Sequence, residues 1–165
     1  MSFKLVHPSI NHKKQFEEMM DEWEAFGGRI NPGAIRRYSH QQGEPVSYEK
    51  WLSWVENDKK IQELFFFMDD EKILGAISIR LYKDIGLEGH SGYGIRPSER
   101  EKGYAIQMLS IALPFMRNYG FCPIIITCDK NNIGSAKTIL HNGGVLKGEE
   151  IDVETGETVQ IYHLL

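Results

Sequence analysis

Hydrophobic residues recur along the chain in two kinds of short pattern, one typical of strands and one typical of helices. Residues 64–68 are apolar throughout, and in residues 73–81 the side chains of Ile77, Ile79 and Leu81 alternate with polar ones. An unbroken apolar run predicts a strand buried on both faces, whereas alternation predicts a strand with one buried face. Similar patterns predict further strands at residues 3–7, 90–96, 123–128, 145–147 and 158–164.

Helical spacing occurs in four other stretches. In the first, Phe16, Met19 and Trp23 recur at intervals of three or four, and Gly27 follows as a stop signal. Three more helices are predicted, one after Ser47, one over residues 103–118 and one that begins at Asn131 or Asn132 and ends at residues 143–144. The resulting order, β-α-α-β-β-β-α-β-α-β-β, predicts a mixed sheet with helices on both faces.

Composition restricts the class of protein. The 165 residues suffice for a single domain with a substantial core. The formal net charge of -4 argues against nucleic acid as the main partner, because nucleic-acid binding usually needs a basic face. No apolar run approaches the length of a membrane span, so a membrane is not expected as a partner. Cys122 and Cys128 lie within one short apolar segment, and if that segment is a single strand they are too far apart along it to form a disulfide. This predicts a reduced, cytoplasmic setting.

One stretch carries candidate chemistry at the start of the 103–118 helix. Gly103 stands where the helix begins, and Arg100 and Lys102 precede it. Unpaired main-chain N–H groups at a helix start attract anions, and a glycine lets a phosphate approach the backbone closely. No Gly-Lys-Ser/Thr sequence follows, which excludes a nucleoside-triphosphatase loop, and the G-x-G-x-x-G dinucleotide fingerprint is also missing. A different phosphate-bearing cofactor is therefore predicted.

The residues around this helix start resemble the GNAT superfamily of acyl-CoA-dependent N-acyltransferases. Arg100-x-x-Gly103-x-Ala105 matches the family's Q/R-x-x-G-x-G/A pyrophosphate motif, and it follows a strand that ends Gly-Ile-Arg-Pro at residues 94–97. Asn132-x-x-Ser135-Ala136 and the Asn-Gly-Gly of residues 142–144 resemble a later family motif. The element order matches along nearly the whole chain. The resemblance implies a single α+β (mixed α/β) domain over residues 1–165, with a largely antiparallel sheet of about seven strands and about four flanking helices.

The resemblance also implies acetyl-CoA as cosubstrate, without a metal. Main-chain amides of residues 100–105 would hold the pyrophosphate. The family's central strand splays from the next one, and the pantetheine arm would insert alongside it like an extra strand, bonded by main-chain groups of residues 93–96. Asn132 would bond the pantetheine or its neighbouring strand, although a plain helix cap explains it equally well. The implied cofactor-binding residues are Tyr93, Gly94, Ile95, Arg96, Arg100, Glu101, Lys102, Gly103, Tyr104, Ala105, Asn132 and Ser135.

Transfer of an acyl group to an amine needs a base, because the amine is protonated at neutral pH. The family often places a glutamate at the start of its central strand, and His90 stands at about that position here, with Glu88 close by. We expect His90 to act as the base, directly or through water, with Glu88 as the second candidate. The alternative is that His90 only orders the strand ends by hydrogen bonding.

The proton donor for the departing thiolate is harder to place. Many family members carry a tyrosine in the helix after the asparagine motif, but this chain has Ile139 there. Tyr162 is the first substitute, and Cys128 and Tyr93 are others. The main-chain N–H near Ile95 is the natural donor to the oxyanion.

The resulting hypothesis is an N-acetyltransferase that transfers acetyl from acetyl-CoA to a primary amine, on a small molecule or a protein terminus, in a ternary complex. A coenzyme A-binding regulatory or interaction domain without catalysis is the alternative, and an RNA-binding modifier is disfavoured by charge. The loop predicted over residues 29–46 would form one wall of the acceptor site. Its basic residues could attract a carboxylate or phosphate, or simply be solvated; they are Arg29, Arg36, Arg37 and His40. Two copies could also pair through the terminal strands as a homodimer.

Overall fold

The computed structural model describes residues 2–38 and 46–165. Seven strands and five α-helices lie within them. The strands are β1 (Lys4–Val6), β2 (Gln62–Met68), β3 (Ile73–Arg80), β4 (Ser91–Ile95), β5 (Ile124–Asp129), β6 (Val145–Ile151) and β7 (Thr158–Leu164). The helices are α1 (Lys13–Phe26), α2 (Gly33–Arg36), α3 (Tyr48–Asn57), α4 (Tyr104–Asn118) and α5 (Ile133–His141). The predicted fold class is confirmed, and every predicted strand and helix is present.

The seven strands form two antiparallel sheets. One has the order β1-β2-β3-β4 and the other the order β5-β7-β6. They meet where β4 begins, through an isolated bridge between Gly89 and Ile126 and a 2.7 Å hydrogen bond from His90 N–H to the carbonyl oxygen of Ile125. β4 and β5 are therefore the facing edges of two sheets, as the implied splaying of the central strand from the next one requires.

The apolar strand β2 separates two hydrophobic clusters. Phe65 and Phe67 pack with the inner face of α4, whereas Leu64, Phe66 and Met68 pack with α1 and α3. Alternate side chains of a strand point to opposite faces, so a strand covered by helices on both sides must be apolar at every position. This confirms the prediction of a strand buried on both faces.

The segment predicted as a loop over residues 29–46 contains the short helix α2. Ile35 is fully buried there, and Trp51 of α3 donates a 2.8 Å hydrogen bond from its indole nitrogen to the carbonyl oxygen of Ala34. These contacts anchor the short helix that carries Arg36 against α3. His40, another basic residue of the predicted loop, lies outside the described residues.

β6 is an edge strand, and it leaves Val145, Leu146 and Ile151 exposed. Pairing of two copies through the terminal strands stays a prediction. Within the described part of the chain, no helix is long and apolar enough to cross a membrane.

Candidate functional site

The loop between β4 and α4 presents a helix start to open space. Gly103 is the N-cap of α4 and has the left-handed φ of 82°, and a Cβ placed there would have no atom within 4 Å. The first main-chain hydrogen bond of the helix runs from Gln107 N–H to Gly103, so the N–H groups of residues 104–106 have no acceptor inside the helix. Free N–H groups and the helix dipole together favour an anion at this point.

The basic side chains of the loop are engaged by the protein itself. Arg100 donates from Nε to the carbonyl oxygen of Ile95 at 3.0 Å, and its guanidinium lies over the rings of Trp23 and Phe26. Lys102 pairs with Glu99 at 2.9 Å, and Glu99 holds the pKa of the Lys102 ammonium above its ordinary value. These side chains therefore brace the loop, and the main-chain amides are what it offers to an anion.

Strand β4 leaves one edge open towards β5. Arg96 N–H donates to the carbonyl oxygen of Leu74 on β3. Because hydrogen-bonding groups of a strand alternate between its two edges, the main-chain groups of Tyr93 and the N–H of Ile95 point to the open edge. The Arg96 side chain bonds Glu22 at 2.9 Å, so this residue fixes α1 to the end of the strand.

Gly94 lets this edge pack closely against the residues that follow α1. A Cβ at Gly94 would clash with the carbonyl oxygen of Asn31 and would lie 2.9 Å from the ring of Trp23. The Trp23 indole N–H is buried, and no hydrogen-bond acceptor for it is found among the described residues.

Beside this open edge lies a cavity of about 550 Å³, which we call the loop cavity. Its lining includes Trp23, Tyr93, Gly94 and Ile95 together with the residues of the α4 start and of α5. Glu101, Gly103, Tyr104 and Ala105 all line it. The sequence-predicted cofactor residues are thus brought together around one cavity, apart from Arg96 and Lys102, which are not part of its lining.

A second cleft of about 520 Å³ adjoins the loop cavity, and we call it the arginine cleft. Four arginines and three acidic residues line it. The arginines are Arg29, Arg36, Arg37 and Arg80, and the acids are Glu88, Asp129 and Asp152. The loop cavity and the arginine cleft share the lining residues Asn31, Tyr93, Asn132 and Ser135, which therefore mark their junction.

Hydroxyl groups meet at this junction. Tyr93 Oη and Ser135 Oγ lie 2.9 Å apart, and burial raises the pKa of the Tyr93 phenol. Burial likewise raises the pKa of the Cys128 thiol, against a lowering contribution from its hydrogen bond with Ser135. All three groups stay protonated at neutral pH and can donate hydrogen bonds here. Asn132 accepts from Ser135 N–H at 3.1 Å, so it caps α5 and lines the junction at once.

Glu88 is the carboxylate of the arginine cleft that lies beside β4. It accepts a 2.7 Å hydrogen bond from the hydroxyl of Tyr82, and Arg80 Nε lies 3.6 Å from the same oxygen. The side chain is 64% exposed, so water reaches it. Burial and the neighbouring Glu88 raise the pKa of Tyr82 to about 12, which keeps that phenol a donor.

His90 turns to the gap between the sheets. Its Nδ1 accepts a 2.9 Å hydrogen bond from Ile125 N–H, and its ring stacks on Phe121 with centroids 4.0 Å apart. Accepting at Nδ1 places the ring proton on Nε2 of the neutral form. Burial and the charge of Arg80 lower the His90 pKa. His90 is not among the lining residues of the arginine cleft, whereas Glu88 is.

Tyr162 lies in the core of the second sheet. It is 2% exposed and donates from its hydroxyl to Gln160 at 2.8 Å. It lines neither the loop cavity nor the arginine cleft. The two substitutes considered beside it, Tyr93 and Cys128, both do line the arginine cleft.

Three residues of the site were not predicted from the sequence. Trp23 was assigned only to a helix core, Asn31 only to a loop, and Arg80 only to the polar positions of an alternating strand. Arg80 is a charged residue at the end of an otherwise buried strand, and this position was the signal that could have identified it. Nothing local distinguished Asn31. Among residues 2–38 and 46–165, no group of three or more His, Cys, Asp or Glu side chains is arranged to hold a metal ion.

Several solved structures share this fold at low sequence identity. An acetyltransferase from Salmonella typhimurium that modifies the N-terminal serine of ribosomal protein L7/L12 is 15% identical, with a TM-score of 0.72 over 100% of this chain and 95% of that one. The microcin C7 self-immunity acetyltransferase MccE, in complex with acetyl-CoA and AMP, is 16% identical, with a TM-score of 0.68 over 99% and 92%. A chimera of spermidine N-acetyltransferase SpeG from Vibrio cholerae and hSSAT is 14% identical, with a TM-score of 0.66 over 100% and 96%.

A comparison with curated proteins finds no match. The family model described as "Acetyltransferase (GNAT) domain" matches residues 13–145, from the start of α1 to the start of β6. This range contains the α4 start, the open edge of β4, the junction residues and both cavities' principal walls. The chain therefore belongs to the GNAT acetyltransferase family.

Proposed function

We propose that the protein is an acetyl-CoA-dependent N-acetyltransferase that acetylates a primary amine, on a small molecule or a protein terminus, by direct attack in a ternary complex. The observation that carries the proposal is the meeting of the loop cavity and the arginine cleft at Asn31, Tyr93, Asn132 and Ser135. Two adjoining cavities let two substrates be bound at once with their reacting atoms in contact, which is the main requirement of direct transfer.

The residues of the loop cavity fit coenzyme A. The free N–H groups at the α4 start suit its pyrophosphate, the open space beside Gly103 leaves room for it, and the open edge of β4 suits the amide groups of its pantetheine arm. The orphaned indole N–H of Trp23 offers one further donor. When bound, acetyl-CoA supplies the activated acetyl thioester. In this arrangement Arg96 contributes by fixing α1 to the end of β4. Arg100 and Lys102 contribute by stabilising the loop that carries the free N–H groups.

Glu88 is the base that we propose for the attacking amine. It lies on the wall of the arginine cleft beside β4, and its exposure lets a water relay the proton. Tyr82 and Arg80 fix the orientation of its carboxylate. His90 stays a second hypothesis, with its Nδ1 lone pair already used by Ile125 N–H.

Donors for the two developing negative charges are present at the junction. The N–H of Ile95 on the open edge is available to the carbonyl oxygen that becomes negative during attack. The Tyr93 hydroxyl and its partner Ser135 are available to the departing sulfur, because burial keeps the Tyr93 phenol protonated. We therefore prefer Tyr93 to Tyr162 as the donor.

Calorimetric titration with acetyl-CoA, followed by measurement of thiol release with a panel of primary amines, tests the proposal. We expect binding and release with at least one amine class. Glu88→Gln should lower kcat by about a hundredfold and leave acetyl-CoA affinity unchanged. Glu150→Gln, which removes an exposed carboxylate on the edge strand β6, is the matched control.

Each contrary result points to a different error. Absence of acetyl-CoA binding would contradict the assignment of the loop cavity. Binding without thiol release to any amine would favour the catalytically inactive coenzyme A-binding alternative. Equal turnover of Glu88→Gln and Glu150→Gln would contradict the assignment of Glu88 as the base. His90 would then be the preferred candidate.

A further inference from the structure

Two arginines of the arginine cleft have no acidic partner among the described residues. Arg36 donates from Nη1 to the carbonyl oxygen of Ile30 at 2.8 Å and to Asn31 Oδ1 at 3.2 Å, and both acceptors are uncharged. Arg29 is exposed, and no carboxylate within residues 2–38 and 46–165 forms an ion pair with it. Burial and the like charge of Arg29 both lower the pKa of the Arg36 guanidinium. Neither guanidinium therefore has an ion-pair partner among the described residues, although the carboxylates of Asp129 and Asp152 also line the cleft.

The other two arginines of the cleft are neutralised in place. Arg37 forms a 2.7 Å ion pair with Asp58, and Arg80 lies 3.6 Å from Glu88 and also donates to the carbonyl oxygen of Glu88. The surplus positive charge is therefore concentrated at Arg29 and Arg36. Like charges held together in a partly buried site cost free energy, and a bound anion would remove that cost.

This pair lies next to the junction where the amine must sit. Arg36 bonds Asn31, and Asn31 lines both the arginine cleft and the loop cavity. Ser91, which is 3% exposed, lines the same cleft, and its hydroxyl has no hydrogen-bond partner among the described residues. A buried hydroxyl without a partner costs free energy unless a ligand supplies one. The lining of the cleft thus includes two guanidinium groups without an ion-pair partner and a buried hydroxyl without a hydrogen-bond partner.

We infer that the acceptor of this enzyme is an amine that also carries a carboxylate or phosphate group, which Arg29 and Arg36 bind. The inference rests on the proposed function, in which the arginine cleft is the acceptor site. Arginine suits either anion because its planar fork donates two parallel hydrogen bonds. A polyamine, which brings only positive charge, would be repelled by the same pair.

Anion binding can be tested without turnover. Inorganic phosphate is titrated into the protein saturated with coenzyme A, so that the phosphate-binding main chain at the α4 start is already occupied, and the arginine Nε–Hε signals are followed by NMR. We expect saturable shifts of the Arg29 and Arg36 signals. Arg29→Gln should weaken phosphate binding about tenfold. Lys59→Gln, which removes an exposed cation paired with Glu56 on α3, should not weaken it.

Acceptor preference is tested with amines matched in size that differ in charge, such as 2-aminoethyl phosphate against ethanolamine, and β-alanine against its amide. We expect a higher kcat/KM for the anionic member of each pair. The ratio of the two kcat/KM values should fall about tenfold in Arg29→Gln and stay the same in Lys59→Gln. Arg36→Lys, which keeps the charge, should retain more of the preference than Arg36→Gln.

The outcomes separate this inference from the proposed function. Phosphate shifts that are absent from Arg29 and Arg36, or equal at all surface arginines, would overturn the inference even in an active enzyme. A preference for the uncharged or polycationic amines would also overturn it. If no amine releases thiol, the proposed acetyl transfer fails, while the phosphate titration still decides whether these two arginines form an anion site.

Discussion

Gly103 is the residue on which the cofactor assignment depends most directly. Gly103→Glu would place a carboxylate beside the free N–H groups at the start of α4, where the pyrophosphate is proposed to bind. We therefore expect this variant to abolish coenzyme A binding in calorimetry. Gly103→Ala keeps the space largely open, but its φ of 82° strains any side chain, so we expect a loss of about 1 kcal/mol in unfolding free energy with binding retained.

Gly120→Ala is the control for this pair of variants. Gly120 lies just beyond the other end of α4, has φ of 84°, and likewise has no atom within 4 Å of a placed Cβ. It should reproduce the stability loss of Gly103→Ala and leave binding intact. Normal coenzyme A affinity in Gly103→Glu would show that the anion site lies elsewhere.

His90 should make the stability of the protein depend on pH in the acidic range. Its pKa is lowered from 6.5 by burial and by Arg80, so the folded protein binds this proton less readily than the unfolded chain. The contribution is then fully present above pH 6.5 and is lost as the pH falls towards the folded pKa. We expect the urea concentration at the unfolding midpoint to decrease as the pH is lowered from about 7.5 to about 5.5.

His90→Gln should lower the urea midpoint at neutral pH, because the stack on Phe121 is lost, and should also reduce its pH dependence. Some dependence should persist from His12, whose pKa is lowered by burial and by Lys4. The pKa values of the Glu22 and Glu99 carboxyls are lowered from 4.5, so their contribution is lost only at more acidic pH. An unchanged pH dependence in His90→Gln would contradict the buried, neutral state of this ring.

Single residues differed in how far the sequence revealed them. Gly103 could be located because its role follows from its own backbone and from the helix after it. The orientation of the His90 ring could not, because it depends on Ile125 and Phe121, which lie more than thirty positions away along the chain. The engagement of Arg100 by Trp23 and Phe26 was hidden for the same reason.

At the scale of elements, α1 is fixed to the end of β4 by an ion pair that we expect to matter for stability. Glu22 accepts from Arg96, whose side chain is 10% exposed, and also from the main-chain N–H and hydroxyl of Ser98. Burial alone would raise the Glu22 pKa, but these bonds outweigh it and lower the pKa. Glu22→Gln would leave the Arg96 charge without its partner and should lower the unfolding free energy by about 2 kcal/mol.

Another ion pair of the same helix provides the comparison. Lys13 of α1 and Glu49 of α3 form a 2.7 Å pair in which both side chains are half exposed. Pairs of that kind contribute little in water, so Glu49→Gln should change the urea unfolding curve only slightly. Equal effects of Glu22→Gln and Glu49→Gln would show that the Arg96 pair contributes no more than a surface contact.

Elements were predicted well where one local pattern determines them. The unbroken apolar run of β2 follows from helices on both of its faces, and the period of α4 follows from a single buried face. The short helix α2 was missed because its four residues give too short a pattern and are held by Trp51 from another helix. The division between β4 and β5 followed only from the family resemblance, because the period of a strand does not say whether both its edges are paired.

For the whole molecule, the two cavities differ in how predictable they were. The loop cavity is built mainly from consecutive residues of β4 and α4. Its binding motif could therefore be identified from one continuous stretch of sequence. The arginine cleft combines α2, the end of β3, β5 and the turn between β6 and β7. Only the folded chain brings these segments together, and the surplus charge at Arg29 and Arg36 appears only once the partners of Arg37 and Arg80 are known.

Within the described part of the chain, main-chain pairing joins the two sheets where β4 begins. A ligand in the gap beyond that point should therefore stabilise both of their facing edges. Some amides exchange their hydrogen only when the ligand-binding structure opens. Coenzyme A at a hundredfold excess over its Kd should slow the exchange of these amides by about a hundredfold. We expect this protection in residues 91–96 and the start of α4, and equally in residues 124–129 and α5, with little change at the edge strand β6. Gly103→Glu treated in the same way should show no protection. Protection confined to β4 and α4 would place the ligand outside the gap, and the junction of the two cavities could then not be the point of acetyl transfer.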